Sequence, residues 1–286
     1  MISRKSLKKS DNGVVGIVVA LLLIGLVISA IAFVQAVFVP KWMAESESEH
    51  MEEVAKQFSQ LKFATDTLAM TDNTYSSISC PITLGNKEMP FLFSARTYGD
   101  LEILPNDYMM VFNLTEGNET ISLDSIKYTS HNAYYINQNF VYENGAIILN
   151  QQSGDTIKIA PSIDISTIGG DIPIITMYTM TFNEVGGKTV ASGYGTYPVQ
   201  AKKAGTENYK WVDVGNLTIY NSHLEAWSKY LNSTFTKSLL LNFTIDNASD
   251  EESIKIQFLE GDGYHLPEIR LYLSIIDVKI TPGWIE

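Results

Sequence analysis

Four histidines, one cysteine and 32 acidic residues are the side chains from which this 286-residue chain could build a reactive site. His50, His131, His223 and His265 are scattered, without the close spacing that puts two imidazoles on one metal ion. Glu47 and His50 stand three apart, the helical spacing used by di-iron carboxylate bundles. No second Glu-x-x-His occurs to complete such a centre, so a solvated acidic helix face is expected there. Asp246, Asp250, Glu251 and Glu252 gather acidic oxygens but lack the glycine and terminal glutamate of a calcium loop. Gly187-Lys188-Thr189 ends like a phosphate loop, yet its opening glycine would fall on Phe182, so a turn is expected. Ser192 precedes Gly193 but has no first glycine of a nucleophile elbow, and it falls in an expected strand. The sequence therefore predicts no catalytic residue, no cofactor and no metal: not an enzyme.

Asn-x-Ser/Thr is the motif that does recur. It occurs at Asn113, Asn118, Asn216, Asn232, Asn242 and Asn247, candidate N-glycosylation sites wherever the asparagine is exposed outside the cytoplasm. Cys80 has no second cysteine to pair with, and a buried, inert thiol is expected.

The elements that must carry these residues begin with a charge asymmetry. Arg4, Lys5, Lys8 and Lys9 against Asp11 give residues 1–13 a charge of +3. The whole chain is −12, so the remainder carries −15 (−12 less +3), which repels phosphate backbones and excludes nucleic acid as a partner. Between them, Val14 to Val39 is a run of 26 residues with no charge. As a helix it would be about 39 Å long, more than a hydrocarbon core of roughly 30 Å requires. The basic leader predicts a cytoplasmic N-terminus and an extracellular main domain at the cell membrane. Ala30-Ile31-Ala32 resembles a signal-peptidase site, but the apolar run continues to Val39, so a retained signal-anchor is expected.

Helix continues past Pro40, which should bend the rod as it leaves the lipid. In the stem, 40–70, Met51, Val54, Phe58, Leu61, Thr65 and Leu68 recur at steps of three and four, one stripe for packing on the domain that follows.

A basic leader, then Asp11-Asn12-Gly13, then an apolar helix running into an amphipathic one resembles the archaeal type IV pilin-like membrane proteins. The resemblance implies cleavage by a prepilin-type peptidase between Gly13 and Val14. It also implies self-assembly through the apolar helix, with Gly16, Gly25, Ala30 and Ala32 allowing close approach. Farther on, Val141-Tyr142-Glu143-Asn144-Gly145, and Glu225-Ala226-Trp227 followed by Tyr230-Leu231, look like pieces of the larger ectodomains in such proteins.

From residue 72 to 286 the pattern is short strands rich in β-branched and aromatic residues, at 108–114, 119–128, 132–137, 146–150 and 155–160. Asn144-Gly145 predicts a tight hairpin with its turn at the surface, and 172–182 with 188–199 reads as a second hairpin around Gly186-Gly187. A surface loop or domain break is expected near 200–208, and late strands at 210–221, 238–246, 253–259 and 269–280. Ser222-x-x-Glu225 reads as a capping box opening one helix near 223–232. The expected fold is a long N-terminal helix, transmembrane then amphipathic, followed by a mainly β domain, a two-sheet sandwich with one packed helix. Two functions fit: a pilin-like subunit of a cell-surface filament or envelope assembly, or a membrane-anchored module binding a glycan or envelope protein. Tyr134, Tyr135, Tyr194 and Tyr197 are the aromatics that would serve the second.

Overall fold

The computed structural model describes residues 12–71, 76–86, 97–115, 117–169, 171–248, 253–261 and 263–280. α1 (Asn12–Phe33) passes through a π-helical turn, Val34–Phe38, into α2 (Val39–Met70). Pro40 explains the turn. A prolyl ring has no N–H to donate and crowds the carbonyl four residues back, so the ladder widens by one residue. The Val39 N–H accordingly reaches the Val34 carbonyl. At Pro40, where a bend in a continuing helix is expected, the helix does continue, through a π turn.

The two halves of the rod have opposite surroundings. From Val15 to Phe33 every residue is exposed, and the helix is long and apolar enough to cross a membrane. In α2 the stripe Met51, Val54, Phe58, Leu61, Thr65 and Leu68 is buried, none more than 2% exposed. It packs on its own domain, as the steps of three and four predict.

Two curled sheets receive it. One runs β1 (Ser77–Thr83), β10 (Thr196–Trp211), β14 (Glu268–Ile280), β8 (Ile172–Glu184) and β7 (Ser162–Ile168). The other runs β12 (Phe243–Ala248), β13 (Ser253–Phe258), β11 (Asn216–Tyr220), β2 (Tyr98–Leu114), β3 (Gly117–His131), β4 (Gln138–Glu143), β5 (Ala146–Gln151) and β6 (Gly154–Ile159). A short β9 (Val190–Gly193) pairs with β2. All pairings are antiparallel except β14 with β8. The second helix, α3 (Leu224–Ser238), is longer than the sequence suggested.

The sandwich has two cores, one around α2 and one around α3. The β4–β5 hairpin is the wall between them. Phe140, Tyr142, Ile147 and Leu149 face the α2 core; Val141, Ala146 and Ile148 face the α3 core. The chain reverses there through Asn144 (φ +44°) and Gly145 (φ +74°), the left-handed pair a two-residue hairpin requires. The turn is not at the surface: Asn144 is 4% exposed and accepts a hydrogen bond from the Thr179 hydroxyl. β2 serves both cores by a bulge between Leu104 and Tyr108, with Asn106 at φ +53°. The bulge switches the buried set from Leu101 and Ile103 to Tyr108, Met110 and Phe112.

Several local expectations fail for non-local reasons. Residues 172–182 and 188–199 do not form a hairpin: β8 runs parallel to β14, while β9 crosses to the other sheet. Residues 200–208 are neither loop nor boundary but the middle of β10. The 210–221 strand is two, split at 212–215 between β10 and β11. Residues 132–137 are a loop, for a reason given below. The capping box does not form either. α3 has no side-chain cap, Asn221 Oδ1 accepts the His223 N–H at 2.5 Å, and Glu225 pairs with Lys229 at 2.6 Å.

Candidate functional site

The most unusual surface is α1 itself. From Val15 to Phe33 apolar side chains project from all sides of it, and among the described residues nothing covers them. A methyl group added at Gly16 or Gly25 would meet nothing, so neither glycine is explained by contacts inside the monomer. Gly25 and Ala32 lie seven residues apart, about 20° from a common face. Gly13 and Val14 fall in the first turn of α1. The basic residues Arg4, Lys5, Lys8 and Lys9 lie outside the described residues, as do Asp250, Glu251 and Glu252.

What α1 projects from is held rigidly. Glu47 is fully buried, not solvated as its acidic neighbourhood suggested. Its Oε1 accepts the Thr97 hydroxyl at 2.8 Å and the Ala133 N–H at 3.1 Å; its Oε2 accepts the N–H groups of Tyr134 at 2.8 Å and Tyr135 at 2.6 Å. Three successive amides thus point at one carboxylate, which is why 132–137 joins no ladder. At the other end of α2, the Lys203 ammonium donates to the Ala69 and Thr71 carbonyls, both at 2.8 Å, satisfying the helix C-terminus with a cation where the dipole is negative. Lys203 sits at a bulge in β10. His50 bonds the Tyr128 hydroxyl at 3.2 Å, and burial lowers its pKa. Glu47 and His50 are therefore spent on the β domain rather than aimed at a common ion. Among the described residues no three His, Cys, Asp or Glu groups converge as a metal site. Glu47 was legible in one respect: it lies four residues before Met51, on the apolar stripe itself.

A second buried acid joins the two ectodomain segments singled out above. Trp227 Nε1 donates to Glu143 Oε1 at 2.6 Å, and Asn221 Nδ2 to Oε2 at 2.9 Å. Burial pushes the Glu143 pKa from 4.5 up to about 7, against the opposing pull of His223, Trp227 and Asn221. His223 in turn bonds Asp155 at 2.9 Å, and Asn150 donates to Asp155 at 2.5 Å. Glu143 is 0% exposed, and through Trp227 and Asn221 it fastens α3 to the hairpin wall.

The sequon asparagines separate by environment. Asn216, Asn113 and Asn118 are register partners in one row across β11, β2 and β3. Asn113 and Asn216 are half-buried, their Oδ1 atoms enclosed without a hydrogen-bond partner among the described residues, and at an inter-strand spacing of about 4.8 Å there is no room for two glycans side by side. Asn118 and Asn232 are exposed, Asn242 is half-buried, and Asn247 lies in β12 with its side chain outside the described set. Cys80 is buried and its thiol pKa is raised by that burial. Ser192 lies in β9, and Gly186 and Gly187 take φ values of +98° and +72° in the bend before it. Tyr134 and Tyr194 are exposed, but Tyr135 and Tyr197 pack against the α2 core.

Compared with protein-family models, curated proteins and solved structures, the chain finds no match.

Proposed function

We propose that this chain is a pilin-like structural subunit of an archaeal cell-surface filament or envelope assembly, held before assembly in the cell membrane with its N-terminus cytoplasmic and its β domain outside. The observation behind this reading is the division of one helix into two halves. The distal half is locked into the β domain by its stripe, by Glu47 and by Lys203. The proximal half is an apolar rod that no described residue covers. A rod so joined carries the domain with it when it bundles with copies of itself. No catalytic role and no cofactor enter the proposal.

The mature N-terminus tests it first. Mass spectrometry of protein from its own membranes should find Val14 as the first residue, and Gly13→Asp should leave the leader attached. An intact leader on the unaltered protein would remove the main support for this reading. Assembly tests it further. A bundled helix needs close approach on one face, whereas lipid is indifferent to shape. Gly25→Leu with Ala32→Leu should therefore preserve membrane insertion and abolish sedimentable assemblies. A permanently tethered binding module is the competing reading, favoured by an open cleft beyond the end of α2; absence of assemblies from the unaltered protein would select it.

A further inference from the structure

The geometry points to a saccharide-binding site where α2 ends. α2 covers one face of β8 and β14, over Met180, Phe182, Ile276 and Val278, and stops at Met70 while both strands run on. The uncovered floor and the last turn of the helix enclose a cavity of about 440 Å³. That is within the range of roughly 300–1,000 Å³ usual for small-molecule sites.

Two tyrosines form its floor. Tyr178 and Tyr272 are register partners on the parallel pair, their rings 5.1 Å apart and within 13° of parallel. Tyr178 is 53% exposed although its strand is flanked on both sides, by β14 and β7. Its register partner in β7 is only Ser162, whose small side chain leaves the ring uncrowded on that side. Ser162, Thr206 and Ser274 complete a hydroxyl lining with the two phenols, and none of the five has a hydrogen-bond partner among the described residues.

The lining selects the chemistry of the ligand. Among the described residues no lysine or arginine lines the cavity, and the charges beside it are already engaged, Asp66 with Lys62 at 2.9 Å and Lys203 with the Ala69 and Thr71 carbonyls, so an anion finds no free counter-charge there. A purely apolar ligand would strand the hydroxyls away from water, which is costly. A neutral sugar satisfies both demands: the C–H face of a pyranose lies on an aromatic ring, and its hydroxyls exchange hydrogen bonds with those of the wall. Sequence reading missed this pair because Tyr178 and Tyr272 are ordinary alternating strand residues, brought together by a pairing between distant segments.

The inference needs only the folded β domain, not the filament reading. Full-length protein in phosphatidylcholine nanodiscs, which avoid sugar-headed detergents, would be applied to a printed array of neutral and charged glycans. Neutral glycans should be retained by the unaltered protein. At least tenfold of that signal should disappear in Tyr178→Ala, which removes the ring, and in Ser162→Trp, which fills the space beside it. Both variants should keep the parent melting temperature, and Tyr264→Ala, at an exposed tyrosine outside the cleft, should bind as the parent does. Retention of no neutral glycan, preference for charged ones, or undiminished binding by both cleft variants would overturn the assignment.

Discussion

Replacing Glu47 with alanine should lower stability by about 3 kcal/mol and free the 132–137 loop from the stem. The carboxylate is the acceptor for Thr97 and for the N–H groups of Ala133, Tyr134 and Tyr135. A hydrogen bond to a charged acceptor contributes roughly 1.5–3 kcal/mol, and an amide left dry without a partner costs about as much. Because Ala133 and Tyr134 are exposed, water can replace part of the loss, so the sum of four bonds is not expected. Glu47→Gln should be nearly as damaging as alanine. Each carboxylate oxygen accepts from two donors, and the amide that replaces one oxygen can only donate. Hydrogen exchange on the full chain gives the local readout: protection of the 133–135 amides should vanish in both variants. Unchanged protection would mean the loop is held by something else.

The second large effect is a pH dependence centred on Glu143. Its pKa is 4.5 as a free side chain and about 7 in the fold. Between those values the folded chain holds a proton that the unfolded chain has released, so stability is highest below pH 4.5 and falls as pH rises through 7. The total is roughly 3 kcal/mol, because each pKa unit corresponds to about 1.4 kcal/mol. Glu143→Gln removes that slope at the cost of about 1 kcal/mol, since Asn221 Nδ2 would then face an amide instead of an oxygen. The two stability curves should therefore cross near pH 5, with parent above variant at pH 4 and below it at pH 8. His50 acts in the opposite sense. Its lowered pKa means that its contribution is present above pH 6.5 and lost as pH falls below it. The difference between parent and variant cancels His50, and it is this difference in denaturant midpoint that should change sign. Parallel curves would refute the assignment of the slope to Glu143.

The sequence by itself determined what depends on neighbours along the chain. Twenty-six uncharged residues make a helix long and apolar enough to cross a membrane whatever follows them, and six residues at steps of three and four make one apolar stripe on any helix. Asn144-Gly145 makes its turn because both residues tolerate positive φ. Tertiary structure decided everything that required a partner from far away. Residues 132–137 have strand-like composition, yet their amides were claimed by Glu47 from the stem. β8 has the turn chemistry of a hairpin behind it, yet pairs with β14 because apolar burial on both faces outweighs a local turn preference. Ser222 and Glu225 have capping-box spacing, but Asn221 and Lys229 took the bonds that a cap would have made. The hydrogen bond from Trp227 to Glu143 and the Tyr178–Tyr272 stack exist only after the sheets have closed. Periodicity is a property of one segment and survives in the sequence; sheet pairing and the burial of a charge belong to two segments, and their energies are written in neither one alone.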